Sequence, residues 1–305
     1  MQKQTRKYVE YGKQNSDVII LLHGGGLSWW NYRETAQMLQ TDYHVILPIL
    51  DGHAESDRAF TTIEDNVKEI IKFIDEQFGG SVLLIGGLSL GGQILLEILS
   101  QRQNVCQYAL IESALVIPSK FTYSMIKPAF GSCYGLIKRR WFSELQFKSL
   151  RMKQKFFEDY FRNSRDITKS NLIAFLQANA LYSIKPSIAE CSAKAYIFVG
   201  EKENKNMRKS AEIIPGHLLE SKIQVLPEMY HGEFSINHAE EYVRKILEII
   251  ESAETRQEAD CTTYKRCGGC SLRHIQYKET LKMKQNAVQS LVNKTLKNKI
   301  QVKET

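Results

Sequence analysis

Long apolar runs are missing from this chain of 305 residues. None approaches the ~18 uninterrupted apolar residues that a membrane-spanning helix requires, which argues against a transmembrane protein. The first residues, Met1-Gln2-Lys3-Gln4-Thr5-Arg6, have no apolar segment behind them of the kind that directs export, so the expected location is the cytoplasm. Cysteine is scarce too. The six are Cys106, Cys133, Cys191 and then a tight group, Cys261, Cys267 and Cys270. That spacing excludes an evenly stapled disulfide scaffold and suggests a metal for the tight group. Six prolines, 43% hydrophobic and 25% charged residues exclude collagen-like and disordered chains. What is present suffices for one large domain with an appendage.

The net charge of +7 is unevenly shared. From Glu254 onward there are 11 Lys/Arg against 5 Asp/Glu, so the preceding residues are nearly neutral, at 30 against 29. Within that body, Ser119 to Lys185 holds 13 Lys/Arg against 4 Asp/Glu, leaving an acidic remainder of 17 against 25. The chain therefore reads as an acidic scaffold, a basic insertion and a basic tail.

Five apolar, β-branched runs have the character of strands buried on both faces of a mostly parallel sheet: Asp17–Leu22, His44–Leu50, Ser81–Gly86, Tyr108–Glu112 and Ala195–Val199. Helix-period segments alternate with them. Thr62 to Phe78 carries Ile63, Val67, Ile70, Ile71 and Ile74 on one stripe, and Gly91 to Gln101 carries Ile94, Leu95, Ile98 and Leu99. This alternation predicts an open, doubly wound α/β sheet, in which ligands sit beyond the carboxyl ends of the strands.

The residues that follow those ends are chemically distinctive. After the Ser81 strand comes Gly87-Leu88-Ser89-Leu90-Gly91, a serine between glycines at a strand-to-helix turn, where a Cβ on either side would clash. The first strand ends in His23-Gly24-Gly25-Gly26. One amide from Gly25 or Gly26 and one from Leu90 could hold the oxyanion of a tetrahedral intermediate. A serine hydroxyl needs a base. His231 is favoured, in the loop after the late strand Lys222–Leu226, with His238 as the fallback. A carboxylate to orient that ring should follow the preceding strand, where Val199-Gly200-Glu201-Lys202-Glu203 offers Glu203 as first choice and Glu201 as competitor, with Glu112 a distant third.

These segments resemble the α/β-hydrolase fold family over about residues 8 to 250. The carriers are Leu21-Leu22-His23-Gly24-Gly25-Gly26, Asp51-Gly52-His53-Ala54-Glu55-Ser56-Asp57, Gly87-Leu88-Ser89-Leu90-Gly91-Gly92 and Tyr230-His231-Gly232-Glu233-Phe234, in that order. The resemblance implies a serine hydrolase acting on a small acyl substrate such as a carboxylic ester, with Ser89 as nucleophile, His231 as base, Glu203 as acid and no cofactor. Many relatives have Asp where Glu203 stands. The second segment is a structural loop in the family and receives no catalytic role. The fold implies a core of residues 1–114 and 195–252, with residues 115–194 as a helical cap rich in aromatic side chains. If its basic residues are engaged, they favour an anionic substrate or an acidic lipid surface.

Residues 253–305 read as a linker and a partly helical, basic tail. Cys261, Cys267 and Cys270, two of them separated by Gly268-Gly269, suit an iron-sulfur cluster or zinc. The stretch of about residues 261–292 is similar to the cluster-binding segment of the RNA uracil-5-methyltransferases. That resemblance implies a [4Fe-4S] site needing a fourth thiolate. The chain carries neither that downstream cysteine nor a methyltransferase domain, so methyltransferase activity is not expected, and the expectation is a truncated or vestigial fusion rather than a working cluster module. The tail charge would suit weak RNA contact.

Overall fold

A computed structural model describes residues 7–255 together with the isolated positions 281, 284, 285 and 288. The expectations for Cys261, Cys267 and Cys270 and for the tail around them fall outside the described residues. The chain divides into two compact units, Met1–Val243 and Arg244–Thr305.

The first unit is built on a seven-stranded sheet in the order β1-β3-β2-β4-β5-β6-β7. Its strands are β1 (Tyr8–Tyr11), β2 (Val18–Leu22), β3 (His44–Pro48), β4 (Val82–Leu88), β5 (Cys106–Glu112), β6 (Lys194–Gly200) and β7 (Ser221–Leu226). All neighbours run parallel except β1, which pairs antiparallel with β3 at one edge. The sheet is thus the doubly wound, mostly parallel one that the apolar runs predict. β1, a four-residue strand of mixed polarity, is too short to show the same pattern in the sequence. β2, β3 and β4 are buried at every residue, as strands covered on both faces must be.

Helices α1 (Arg33–Leu39), α2 (Ile63–Phe78), α3 (Leu90–Gln101), α8 (Lys205–Ile213), α9 (Glu233–Asn237) and α10 (Ala239–Thr255) alternate with the strands. α2 begins at Thr62, whose hydroxyl accepts the Asp65 amide at 3.0 Å, and it ends at Gly79 in the left-handed region (φ 68°). It buries Ile63, Val67, Ile70 and Ile74, while Ile71 is only half-buried. α3 is more extreme, with Leu90 to Leu99 buried without interruption. Each of its leucines and isoleucines contributes about 1.5–3 kcal/mol by leaving water.

Between β5 and β6 the chain inserts four helices: α4 (Lys120–Ile137), α5 (Arg140–Ser149), α6 (Phe157–Asp166) and α7 (Lys169–Leu181). α7 reaches the core through buried Phe175, and its Asn171 side chain accepts the Phe60 amide at 3.1 Å. The insertion is thereby fastened over the carboxyl ends of the strands.

Candidate active site

β4 passes into α3 through Ser89, whose φ of 52° and ψ of −111° are strained for a residue with a Cβ. The flanking glycines explain how the turn closes. A Cβ on Gly87 would lie 2.3 Å from the Gly91 carbonyl oxygen, and one on Gly91 would lie 2.1 Å from the Leu22 carbonyl oxygen. The Ser89 amide donates to the Glu112 carbonyl at 2.8 Å, tying the turn to β5. Ser89 is half-buried and lines a cavity at the carboxyl end of the sheet.

His231 faces the same cavity from the loop between β7 and α9. Its Nδ1 lies 2.8 Å from Oε2 of Glu203, which stands three residues beyond the end of β6. The other carboxylate oxygen, Oε1, accepts the Ser113 hydroxyl at 2.7 Å and the Gly200 amide at 2.8 Å. Burial pushes the Glu203 carboxyl up. Hydrogen bonds from His231, Ser113 and Gly200, with the charge of His231, more than reverse this and hold it below the usual value. An ionised carboxylate against Nδ1 requires the proton there, which leaves Nε2 of the neutral ring with a free lone pair.

The alternatives are drawn elsewhere. Glu201 accepts the Glu228 amide at 3.0 Å on the exposed side of its loop. His238, at the end of α9, lies 3.9 Å from Glu241 and is not among the cavity residues. Glu112 is buried and its Oε1 accepts the Ser235 amide at 3.3 Å. Ser113 is absent from the sequence reading, although it directly follows β5, the place where that reading looks for chemistry; its φ of 54° turns it toward Glu203.

Gly25 and Gly26 are not equivalent. The Gly26 amide donates to Nε2 of His53 at 3.1 Å, so Gly26 does not offer its N–H to a ligand and the choice narrows to Gly25. His53 belongs to the segment read as a structural loop, and it is a deliberate part of the site's support. Its Nδ1 lies 3.1 Å from the Asp51 carbonyl oxygen, its ring stacks on Phe175 of α7 at 4.6 Å, and burial lowers its pKa to about 4. A neutral His53 with Nδ1–H can accept from Gly26, whereas an imidazolium cannot. Leu90, the first residue of α3, has an amide with no acceptor within its helix.

The cavity measures about 220 Å³. The insertion supplies most of its wall, including Phe130, Ile137, Leu150, Met152, Tyr160 and Phe175. No Lys, Arg, Asp or Glu is among the lining residues. The basic residues of the insertion therefore do not line the cavity.

A profile of the alpha/beta hydrolase family matches residues 19–245. The chain belongs to the α/β-hydrolase family. Among solved structures, this α/β-hydrolase is similar to an esterase from Thermogutta terrifontis, solved with malate bound, with a TM-score of 0.68 at 16% identity over 82% of this chain and 94% of that one. It is similar to MenH from S. aureus with a TM-score of 0.67 at 15% identity, over 83% of this chain and all (100%) of that one. The enol-lactonase from Burkholderia xenovorans LB400 gives 0.68 at 13% identity, over 81% and 96%. At such identities the likeness is one of fold.

A different likeness marks the C-terminal end of this α/β-hydrolase. A stretch of 46 residues, 15% of the chain, is 46% identical to an uncharacterised RNA methyltransferase of Clostridium acetobutylicum, of which it covers 10%. Another alignment, over 50 residues, is 38% identical to the 23S rRNA (uracil(1939)-C(5))-methyltransferase RlmD of Vibrio campbellii and covers 11% of it. The chain thus spans about a tenth of the length of these curated relatives.

Proposed function

We propose that the protein is a serine hydrolase that cleaves neutral, apolar carboxylic esters or related acyl compounds through an acyl-enzyme. The observation that carries this reading is the 2.8 Å contact between His231 Nδ1 and Glu203 Oε2 beside a cavity that also receives Ser89 from a strained turn. In the reaction, Ser89 Oγ attacks the acyl carbon while His231 Nε2 takes its proton. The carbonyl oxygen becomes an oxyanion, held by the Gly25 and Leu90 amides. Collapse of the intermediate expels the leaving alcohol, which takes the proton from His231. Water then repeats the sequence on the acyl-enzyme, with His231 again as base, and releases the acid. Glu203 keeps the imidazole oriented and stabilises the imidazolium as it forms. The uncharged cavity wall selects for an acyl group without charge, because an ion there would lose its hydration without gaining a partner.

Labelling with a fluorescent fluorophosphonate tests this directly. The wild-type protein should label and hydrolyse p-nitrophenyl acyl esters, and Ser89→Ala should abolish labelling and lower turnover by roughly 10³-fold or more. Absence of labelling in the wild-type protein sinks the mechanism.

The C-terminal similarity to RNA methyltransferases supports a second reading, in which the tail associates with RNA and the hydrolase body is secondary. Salt-dependent RNA affinity lost on deleting residues 254–305 would favour it; salt-independent or unaltered binding would remove it.

A further inference from the structure

α4 is apolar on two opposite faces, yet only Ile126 and Ile137 of its 18 residues are buried. One face looks inward, where Phe130 and Ile137 line the cavity. The opposite face carries Phe121, Met125, Pro128, Ser132 and Leu136, one stripe at helical spacing, and all five are exposed. Phe121 is 77% exposed, and Trp141, at the start of α5, is 58% exposed. Of the fourteen large apolar side chains that are exposed among the described residues, seven lie between Phe121 and Leu150. Exposed apolar side chains gathered in a patch of this kind mark an interaction surface.

The charge around the stripe indicates what covers it. From Lys120 to Lys153 the chain has 8 Lys/Arg and one acidic residue, Glu144. Lys120, Lys127, Arg139 and Lys148 are exposed, with Lys120 and Lys127 together on one flank of α4 beside the apolar stripe. Aromatic and aliphatic side chains flanked by cations, with Trp141 at the junction, match the interfacial layer of a bilayer whose headgroups are anionic. A second copy of the same face would bring the two cationic borders together, which disfavours a symmetric dimer through it. No helix among the described residues is long and apolar enough to cross a membrane, so the contact would be peripheral.

We infer that the α4–α5 surface docks on anionic phospholipid bilayers. Docking puts the helix whose inner face lines the cavity against the lipid, so that an apolar ester dissolved in the bilayer lies one helix away from Ser89. The binding itself is independent of the serine chemistry, and its test reads binding alone.

The experiment is flotation of the full chain with vesicles of phosphatidylcholine, and with vesicles of phosphatidylcholine mixed with phosphatidylglycerol. The wild-type protein should float with the mixed vesicles and release as salt rises. Phe121→Asp combined with Met125→Asp should weaken that binding by about tenfold or more, while thermal unfolding monitored by circular dichroism stays unchanged, since both side chains are exposed. Brominated lipid should quench tryptophan emission in the wild-type protein, and Trp141→Phe should remove the quenching. Three outcomes overturn the inference. They are no flotation with either vesicle, flotation unchanged by the double substitution, which would assign binding to basic residues elsewhere on the chain, and a dimer in sedimentation that the substitution dissolves without any vesicle binding.

Discussion

α3 and α4 are both apolar helices that contain glycines, and the molecule uses them in opposite ways. α3 buries ten consecutive residues beneath the sheet, whereas α4 buries two of 18. Their glycines differ in the same sense. Gly91 lets the start of α3 lie against the backbone of β2, and Gly135 in α4 has nothing within 4 Å of where a Cβ would be. Apolar composition states only that surface must be removed from water. Whether the chain itself removes it depends on what the topology brings alongside, and an insertion hung beyond the strand ends has fewer neighbours than a helix laid across them.

The strongest way to break this contrast is Gly91→Ala. The added methyl would meet the Leu22 carbonyl oxygen at 2.1 Å, with backbone on both sides and no flexible side chain to give way. The expected cost is about 3 kcal/mol, the upper end for overpacking. It should come with loss of fluorophosphonate labelling, because the Ser89 turn shifts with α3. Chemical denaturation measures the first and gel labelling the second. A variant with wild-type stability and labelling would mean that α3 is not held as tightly as its burial requires.

A subtler test uses the buried carboxyl next to that turn. Glu112 ends β5 with Oε1 accepting from Ser235, and among the described residues Oε2 meets no donor in hydrogen-bonding geometry. Burial raises its pKa from 4.5 to about 7, against the pull of Ser235 and with help from the charge of Glu203. The native state therefore keeps a proton that the unfolded chain releases between these values. Stability from this group is full below about pH 4.5 and is lost as pH rises through about 7, by about 3 kcal/mol in all. Glu112→Gln supplies a permanent neutral isostere. It should match the wild-type protein at pH 4 and exceed it by up to about 3 kcal/mol at pH 8, as read from denaturation curves across that range. Parallel pH profiles for the two proteins would show that Glu112 is ionised in the fold.

Much of this arrangement is legible in the sequence, for physical reasons that also mark where legibility stops. β2 to β6 announce themselves because strands covered on both faces are apolar along most of their length. Ser89, His231 and Glu203 are picked out because chemistry collects at the ends of such strands, and the fold brings the His231 and Glu203 side chains together. Ser113 goes unnoticed, and His53 is read only as part of a structural loop. Their contributions are contacts made across 90 residues to Glu203 and across 27 residues to Gly26, and no local pattern encodes a partner so distant. The same is true of the uncharged cavity. A basic insertion suggests anionic ligands until the fold lines the cavity with Phe130, Tyr160 and Phe175 and keeps every cation of the insertion out of it.

The smallest expected effect sharpens the comparison most. In α3 a glycine is required, but in α4 Gly135 serves no close approach and sits in an ordinary helical conformation, so its only consequence is entropic. Replacing it by alanine removes backbone freedom from the unfolded chain and adds a methyl that meets nothing. Gly135→Ala should therefore stabilise the protein by about 0.5–1 kcal/mol, provided the insertion unfolds together with the core. For a domain of this size that corresponds to a rise in Tm of about 1–4 °C by calorimetry. If the insertion melts separately, the rise will appear only in a first, lower transition, and the two helices will be shown to differ in cooperativity as well as in burial. Destabilisation by the same substitution would mean that some part of the chain rests against Gly135 after all, and the outward face of α4 would no longer count as uncovered.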